Sequence, residues 1–461
     1  MNAAAEFIKR SIQKSSDLDH RQIIRKNIDH YDAAVVRGKS RFADWEAARE
    51  RCAAIKQEAI DNLDRLLVEF ESKILARGGH VFWAENSEQA RDYIVRLATD
   101  RGIKRIVKSK SMVTEEIHLT PALEKLGCEV VETDLGEYIV QLRNEPPYHI
   151  VTPAMHLTRV QIAELFRDKL EGVTSDEPTE LVAAARRKLR DAFFAAEMGI
   201  SGANFLVADA GMVAISTNEG NGRLSTTLPR IHVVVTGIEK VIPRLRDLGI
   251  LWPTLATAGT GQSVTTYNTL IGGPRTANEI DGPEEFHVVL VDNGRSELLA
   301  DIEQRDALRC IRCGACLNAC PVYRNIGGHT YATTYQGPIG SVLTPHFRGH
   351  DFDHLSYASS LCGNCTSVCP VKIDLHHHLL HNRRNSVASD QRPRSERLGF
   401  RFWRWMMMDG RRFSRFAKLG KFGVRFGRAI GLDPMRPWTR YRSAPDLPKQ
   451  SFRDLWRSGR V

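Results

Sequence analysis

The sequence predicts an α/β domain around a largely parallel sheet, with helices before it and a cysteine-rich domain after it. Between about residue 80 and residue 293, short apolar runs alternate with amphipathic helical stretches, which is typical of strands and crossover helices. Seven of the nine cysteines fall between residues 310 and 369. We therefore divide the chain into a helical segment, an α/β domain, a cysteine-rich domain and a C-terminal tail. Their expected bounds are 1–75, 76–295, 296–385 and 386–461.

The first segment is predicted to be helical. The stretch DLDHRQIIRKNIDHYDAAV (17–35) carries apolar residues at helical spacing, and Asp17 or Asp19 can cap its start. A second stretch, from Asp44 to Gly79, is rich in Ala, Glu, Arg and Leu and ends in a glycine pair that stops a helix. Both are interpreted as packing helices without chemistry of their own.

The α/β domain is built from six predicted strands. In chain order they are HVFWAEN (80–86), RIVKSKS (105–111), CEVVETD (128–134), FLVADAGMVAIST (205–217), HVVVTGI (232–238) and HVVLVDN (287–293). Residues 87–102 and 112–127 are predicted as helices between the first three strands. A further helix over 296–308 leads into the cysteines, and no internal repeat is predicted.

The positive charge of the chain is concentrated near its C-terminus. The formal net charge is +10, but residues 383–461 hold 21 Lys and Arg against 6 Asp and Glu, so the rest of the chain is net negative. This distribution argues against a nucleic-acid-binding protein. No window approaches the roughly 18 unbroken apolar residues of a membrane helix. The start, MNAAAEFIKRSIQK, lacks the apolar core of a secretory signal, so we expect a cytoplasmic protein.

The first cysteine run is CIRCGACLNACP (310–321), with the spacing C-x2-C-x2-C-x3-C-P. In two-cluster ferredoxins, the first three thiolates of such a run bind one [4Fe–4S] cluster and the fourth binds the other. The alternative is a zinc site, but zinc sites normally use two C-x2-C pairs. The run therefore predicts iron–sulfur ligands.

The second run, SSLCGNCTSVCP (359–370), has the same spacing with Ser359 in place of the first cysteine. Crossed ligation as in two-cluster ferredoxins gives cluster one four thiolates and cluster two three. Cluster one takes Cys310, Cys313, Cys316 and Cys369, and cluster two takes Cys320, Cys362 and Cys365. Three possibilities stay open for cluster two. It is a [4Fe–4S] cluster whose fourth iron binds Ser359, a histidine, water or a small molecule; it is a [3Fe–4S] cluster; or it does not form. We expect two [4Fe–4S] clusters.

Histidines follow the second run in DLHHHLLH (374–381). His377 and His381 stand four residues apart and could chelate a metal from one helix face. We interpret them, with His376 and His378, as a polar helix face beside the cysteine-rich domain.

These cysteines and four stretches of the α/β domain resemble the LUD-type lactate utilization iron–sulfur proteins of the B-subunit kind. The stretches are IVKSKSMVTEEI (106–117), NEPPYHIVTPAMH (144–156), GANFLVADAGMVAISTNEGNGRLSTTLPRIHVVVTGIEK (202–240) and ATAGTGQSVTTYNTLIGGPR (256–275). The family shares the seven-cysteine arrangement, so the absent cysteine is not a departure from its pattern.

The resemblance implies a LUD domain with a NagB/RpiA/CoA-transferase-like fold and an α-helical ferredoxin-like domain with two [4Fe–4S] clusters. It also implies a system that oxidises L-lactate to pyruvate, in which this chain carries electrons beside a cysteine-rich subunit and a LUD-only subunit. Two other functions remain in view. The α/β domain itself binds and converts a small carboxylate, or the chain is a cluster-sensing regulator that binds nucleic acid through its tail.

Two glycine-bearing loops of the α/β domain are candidate ligand sites. In TNEGNGRLSTT (217–227), glycines permit close backbone approach and a basic side chain can bind an anion, while a carboxylate could act as a base; ATAGTGQS (256–263) is similar. Two lysines end a predicted strand, where ligand crevices often lie. The candidates are Lys108, Lys110, Glu219, Gly220, Gly222, Arg223, Gly259 and Gly261. His149 and His156 flank a proline-bearing loop and are interpreted as capping or packing residues.

The tail stretch FRFWRWMMMDGRRFSRFAKLGKFGVRFGRAIG (400–431) alternates basic and large apolar residues at roughly helical intervals. This composition is typical of a surface-seeking amphipathic helix. We expect the tail to dock onto its own domains or a partner subunit. Contact with the inner face of a membrane, on the way to quinone, is the alternative, and nucleic acid comes last.

Overall fold

The computed structural model describes residues 3–389, 394–439, 442–444 and 446–460, without the side chains of Arg394 and Pro437. The chain forms two compact units, Met1–Asn385 and Ser386–Val461. Within the described ranges, no helix is both long enough and apolar enough to span a bilayer.

Four helices open the chain. They are α1 (Ala3–Ser16), α2 (Leu18–Lys39), α3 (Trp45–Asp61) and α4 (Leu63–Ala76). The Asp17 carboxylate accepts a hydrogen bond from the backbone N–H of His20, so Asp17 rather than Asp19 caps α2. Ile24 and Ile28 on α2 are fully buried in the core that also holds the clustered cysteines. The predicted packing helices are therefore part of the same unit as the cysteines.

A six-stranded parallel sheet forms the centre of the first unit, as the alternation of strands and helices predicts. The strands of the chain are β1 (His80–Ala84), β2 (Arg105–Lys108), β3 (Glu129–Glu132), β4 (Met198–Ser201), β5 (Phe205–Val207), β6 (Met212–Thr217), β7 (Ile231–Gly237), β8 (Val241–Ile242), β9 (Tyr267–Ile271) and β10 (Glu285–Val291). The parallel sheet has the order β1-β10-β7-β4-β2-β3. Its central strands are buried on both faces, so they are nearly continuous apolar runs.

A second sheet was not predicted. It has the order β8-β5-β6-β9 and lies in the same unit. The prediction of a single strand over 205–217 is wrong, because the chain reverses between β5 and β6. Gly211 has φ 56°, and its N–H donates to the carbonyl of Ala208, which closes a turn that a residue with a side chain would strain.

Helices cover the sheets and carry the chain between strands. They are α5 (Ser87–Asp100), α6 (Met112–Glu116), α7 (Leu119–Lys125), α8 (Leu135–Leu142), α9 (Arg159–Lys169), α10 (Pro178–Ala195), α11 (Asn221–Thr227) and α12 (Leu248–Thr260). The predicted helix over 112–127 is interrupted at His118, which has φ 52°. Pro121 has no N–H to bond back to Ile117, so it fits only the first turn of a new helix.

Short helices dominate the cysteine-rich region. They are α13 (Arg295–Ala300), α14 (Ala315–Ala319), α15 (Tyr323–Ile326), α16 (Gly337–Arg348), α17 (Asn364–Val368) and α18 (Leu375–Ala388). The predicted helix over 296–308 stops at Ala300. The Asp301 carboxylate accepts from the backbone N–H of Glu303, a local bond that competes with helix continuation.

The second unit is also helical where it is described. Its helices are α19 (Arg394–Met407), α20 (Gly410–Ala429), α21 (Arg436–Thr439) and α22 (Phe452–Arg457). Many of its large apolar side chains are exposed, among them Trp403, Trp405, Phe422 and Phe426. The tail therefore forms helices that leave aromatic surface uncovered within this unit.

Candidate metal centre and the adjoining cavity

The first cysteine run wraps around two residues with left-handed backbone. Arg312 has φ 60° and Gly314 has φ 79°, and α14 follows and ends directly before Cys320. These turns bring Cys313, Cys316 and Cys320 into the buried core. The glycine is required at position 314 because an added Cβ would meet the His149 ring at 3.1 Å in a conformation that side chains rarely adopt.

The second run repeats this backbone. Leu361 has φ 55° and Gly363 has φ 78°, and α17 ends directly before Cys369 as α14 ends directly before Cys320. Each position of the first run has its counterpart 49 residues later, as Cys313 and Cys362 illustrate. The expectation that the chain holds no internal repeat was therefore wrong for this region, and the equal spacing of the two runs was its signal.

Four of the seven thiols form one group. Burial raises the pKa of Cys313 most, and the thiols of Cys369 and Cys310 raise it further. Burial also raises the pKa of Cys316, and the thiols of Cys310, Cys313 and Cys369 raise it further. Mutual electrostatic effects of this kind require proximity. The four thiols from the two runs are those that the crossed arrangement assigns to cluster one.

The other three thiols form a second group. Burial, followed by the nearby thiols of Cys320 and Cys362, raises the pKa of Cys365 to about 11. The pKa of Cys320 is raised by burial and by the nearby thiol of Cys362. Cys362 is exposed, and its pKa is lowered by hydrogen bonds from the backbone N–H of Asn364 and from Ser360. This group matches the set expected for cluster two.

The spacing of the thiols does not suit a single zinc ion. Tetrahedral thiolates at a Zn–S distance of 2.3 Å lie about 3.8 Å apart. Among the described residues, no group of three or more cysteine sulfurs lies within 4.8 Å of one another. A larger centre fits the donor set better, and seven thiols suit iron–sulfur clusters.

Ser359 takes the position that Cys310 holds in the first run. The Cys310 sulfur accepts from the backbone N–H of Arg312 at 3.4 Å. The Ser359 hydroxyl accepts from the backbone N–H of Leu361 at 3.1 Å, which is the same bond two residues along. The repeat therefore extends to the one position where the residue type differs.

The histidines after the second run contact carboxylates beside and along α18. His376 and His377 each place Nδ1 against the Asp374 carboxylate, at 3.0 and 2.5 Å. These three side chains also form a possible metal-binding group on the surface. His378 Nε2 lies 2.7 Å from Asp306. The contacts support the polar helix face expected from the sequence.

A buried ionic network joins the first cysteine run to the parallel sheet. Arg312 donates to Glu239 at 3.2 Å, and Glu239 also pairs with Arg295 at 2.6 Å. Arg295 in turn pairs with Glu116, which accepts from Tyr335 at 2.6 Å. Although burial acts to raise it, the nearby arginines lower the pKa of Glu239 to about 2. The network holds the cysteine run against the sheet.

A cavity of about 500 Å³ lies where the sheet meets the first cysteine run. Residues just after β2, β3, β4 and β7 line one part, and Arg312, Cys313 and Tyr335 line another. The carboxyl ends of parallel strands converge at such crevices. Its size is in the range of small-molecule sites.

Only three of the eight α/β candidates line this cavity. They are Lys110, Glu219 and Gly259. Lys110 donates to the carbonyl of Val151 at 2.8 Å. Glu219 accepts from the backbone N–H of Leu135, and burial followed by repulsion from Asp134 raises its pKa.

Lys108 does not reach the cavity. It is fully buried and pairs with Glu132 and, at 3.0 Å, with Glu115. Although burial acts to lower it, these carboxylates hold the pKa of Lys108 above its ordinary value. The lysine pair is thus split between a structural ion pair and a cavity wall.

The two expected glycine loops are largely helical. Gly222 and Arg223 lie on α11 with Gly220 at its N-terminus, and Arg223 is exposed over the Tyr267 ring. Gly259 lies in the last turn of α12, and Gly261, with φ 76°, ends that helix. A Cβ at Gly259 would meet the Cys313 carbonyl at 2.8 Å, so this glycine allows α12 to pack against the first cysteine run.

The histidines of the proline-bearing loop have the local roles expected of them. His149 Nδ1 accepts from the backbone N–H groups of Val151 and Thr152. His156 Nε2 lies 2.9 Å from Glu145. Together with His329, these last two residues form a partly buried group of possible metal ligands.

Four polar cavity residues had no signal that singled them out in the sequence. They are Ser109, Asn221, Lys240 and Arg312. Burial, followed by repulsion from Arg312, lowers the pKa of Lys240 to about 8. Within the described ranges, their significance comes from buried polar atoms without a hydrogen bond in Ser109, Asn221 and Arg312 and from the unpaired ammonium group of Lys240, which only the folded chain reveals.

Three family models match consecutive parts of the chain. They are the LUD domain over residues 67–291, the 4Fe-4S dicluster domain over 306–373 and the C-terminal region of lactate utilisation protein B over 376–460. A solved structure, a DUF162 family protein from Deinococcus radiodurans, covers 50% of this chain and 98% of its own at 13% identity and a TM-score of 0.29. A similarity this weak supports no conclusion.

Curated relatives match along most of the chain. Lactate utilization protein B of Anoxybacillus flavithermus is 45% identical over 425 residues, which cover 90% of this chain and 89% of the relative. The proteins of the same name from Bacillus cytotoxicus and Bacillus thuringiensis are 44% and 43% identical, with the same shares covered. The chain therefore belongs to the lactate utilization protein B family and has a role in lactate utilization that involves an iron–sulfur domain.

Proposed function

We propose that this chain is the iron–sulfur electron-transfer component of a system that oxidises L-lactate to pyruvate. The observation that carries the proposal is the division of seven thiols into a group of four and a group of three. Two clusters held by crossed ligands supply one-electron carriers close to each other. The family relationship supports lactate as the source of the electrons.

Cluster one is held by Cys310, Cys313, Cys316 and Cys369, and cluster two by Cys320, Cys362 and Cys365. Backbone N–H groups donate to the sulfurs of Cys310 and Cys369, each at 3.4 Å. Hydrogen bonds to sulfur stabilise the reduced, more negative cluster and so raise its potential. The arginine guanidiniums at Arg49 and Arg312 add positive charge nearby, since Arg49 donates to the Cys369 carbonyl.

Ser359 is proposed as the fourth protein ligand of cluster two. Its hydroxyl accepts the same backbone hydrogen bond as the Cys310 sulfur does in the first run. The equal spacing of the two runs supports the same direction of approach. The matching hydrogen bond supports Ser359 over a histidine, water or a small molecule as this ligand.

The domain division at residues 75, 295 and 385 is part of the proposal, since the family matches fall close to it. The six parallel strands support a NagB/RpiA/CoA-transferase-like LUD domain. The two repeats around α14 and α17 support a ferredoxin-like cluster domain.

Companion subunits complete the proposed system. One is cysteine-rich and the other contains only a LUD domain. The exposed aromatic and basic residues of the tail are suited to docking on such a subunit. Contact with a membrane surface is the alternative for the tail.

The central test is the iron content of the anaerobically purified chain together with low-temperature EPR. Two [4Fe–4S] clusters require about eight irons and eight sulfides per chain. Reduction should give the signals of two interacting clusters. About four irons per chain would contradict the crossed arrangement, and an oxidised [3Fe–4S] signal would contradict the proposed ligation by Ser359.

A further inference from the structure

The cavity beside the first cysteine run contains polar groups that have no partner in the protein. Both side-chain amide atoms of Asn221 and the hydroxyl of Ser109 are buried without a hydrogen bond. The guanidinium of Arg312 leaves Nη1 unbonded, although its side chain is only 8% exposed. Buried polar groups are normally satisfied, so these groups point to a ligand.

Lys240 lies beside Arg312 in the cavity wall and, unlike Arg312, which pairs with Glu239, has no ion-pair partner in the part of the chain that the structure describes. The residue is 6% exposed. Among the described residues, its ammonium group neither hydrogen-bonds nor lies within 4.0 Å of a carboxylate. A buried ammonium group is costly unless an anion accompanies it. Lys240 and Arg312 therefore provide adjacent positive charge for an anionic ligand.

The acidic residues of the cavity wall do not neutralise these cations. The Asp134 carboxylate accepts from the backbone N–H groups of Gly136 and Glu137 at the start of α8. Glu219 accepts from the backbone N–H of Leu135, the first residue of α8. Both carboxylates are thus held at the end of α8, and the remaining wall offers donors and apolar surface from residues such as Ile139 and Leu255.

We propose that this cavity binds a small 2-hydroxy or 2-oxo carboxylate, with the carboxylate held by Lys240 and Arg312 beside Cys313. Two cations suit the two oxygens of one carboxylate. The amide of Asn221 and the hydroxyl of Ser109 can each donate or accept, so they suit the adjacent hydroxyl or keto oxygen. The assignment of a carboxylate ligand depends on the cavity groups alone. Its assignment to the 2-hydroxy or 2-oxo class depends on the proposed function.

The position of Cys313 gives this site a relation to cluster one. Cys313 lines the cavity, and its thiol lies among the four thiols proposed to bind that cluster. A ligand in the cavity therefore lies against one protein ligand of the cluster. Binding should alter the EPR spectrum of reduced cluster one, which gives a signal that is independent of turnover.

The test uses the full chain with its iron content measured on the same sample. Calorimetric titration with sodium L-lactate and with sodium pyruvate should show saturable binding, and inorganic phosphate at equal ionic strength should not compete. Lys240→Met removes one cation at similar length and should weaken binding by about tenfold or more. Asn221→Asp keeps the shape, adds a repelling charge where the amide has no partner to lose, and should weaken binding to a similar extent.

Lys104→Met is the matched control. Lys104 is exposed and directly precedes β2, at the opposite edge of the sheet from the cavity. The Lys104→Met substitution removes the same charge as Lys240→Met and should leave the affinity for both acids unchanged. The proposal is overturned if neither acid binds to a chain that carries its irons, if both cavity variants bind as well as the control, or if phosphate binds equally well. A full complement of reducible clusters without acid binding would leave the electron-transfer function standing and reject only the cavity assignment.

Discussion

Ser359 takes the position of Cys310 in the repeat and differs from a cysteine by one side-chain atom, oxygen in place of sulfur. Its hydroxyl accepts the backbone N–H two residues along, as the Cys310 sulfur does. An alkoxide is a harder ligand than a thiolate, so an iron bound through it differs in electronic properties from the other three. A substitution at Ser359 therefore alters the proposed cluster two without changing any proposed ligand of cluster one.

Replacing Ser359 with cysteine should retain about eight irons per chain and shift the reduction potential of cluster two alone. Replacing it with alanine should make one iron of cluster two labile, so that mild oxidation produces a [3Fe–4S] signal. Potentiometric EPR titration of both variants measures these effects. Ser360→Ala is the matched control, since Ser360 neighbours Ser359 and bonds to Cys362, but its counterpart in the first run is Ile311 and not a cysteine. Identical spectra for the wild-type chain and the alanine variant would reject Ser359 as a ligand.

At the residue scale, the cysteines proposed as cluster ligands could be singled out from the sequence, whereas most of the cavity residues could not. The spacing of the cysteines specifies their use because the cluster demands thiolates in a fixed order. Lys240 and Asn221 carry no such pattern, since their meaning lies in being buried without a partner. Lys108 illustrates the reverse case, because its position at a strand end suggested a crevice but Glu132 pairs with it.

At the scale of elements, the buried strands followed from the sequence because parallel sheets require continuous apolar runs. The second sheet did not follow, because β8 has two residues and β9 has a polar, partly exposed sequence. Gly259 and Gly261 suggested a loop, but the chain remains helical until Gly261 adopts a left-handed conformation. Glycine pairs fit both a loop and a helix end, and neighbouring packing decides between them.

The two cysteine runs provide a matched comparison of the same element. Gly314 and Gly363 have nearly the same φ, 79° and 78°. A Cβ at Gly363 meets nothing within 4 Å, whereas one at Gly314 meets His149 and Val151 at 3.1 Å. Left-handed backbone costs an alanine about 1–2 kcal/mol, and the contacts at position 314 add to this.

Gly314→Ala should therefore lower iron occupancy and melting temperature more than Gly363→Ala. Iron analysis and thermal unfolding monitored at the cluster absorbance measure the difference. The Gly363 variant serves as the control for backbone strain without a steric contact. Equal losses in the two variants would show that packing against His149 does not position the first run.

At the scale of the whole molecule, the cysteine-rich region and the LUD domain form one compact unit rather than two linked modules. The N-terminal helices, the sheet and the first cysteine run share a core and a buried ionic network. The cysteines proposed to bind cluster one are therefore packed in the same unit as the cavity. The tail, by contrast, is a unit of its own.

Ending the chain after Ser389 should leave the clusters intact and remove the interaction surface. This end keeps all of α18 and every cluster cysteine, while the exposed aromatic residues of α19 and α20 are lost. We expect about eight irons per truncated chain, as for the whole protein. Co-purification with the companion subunits should fall sharply, whereas affinity for L-lactate should not change. Vesicles rich in anionic lipid provide the contrasting arm, because retention of the companions together with loss of vesicle binding would assign the tail to a membrane surface instead.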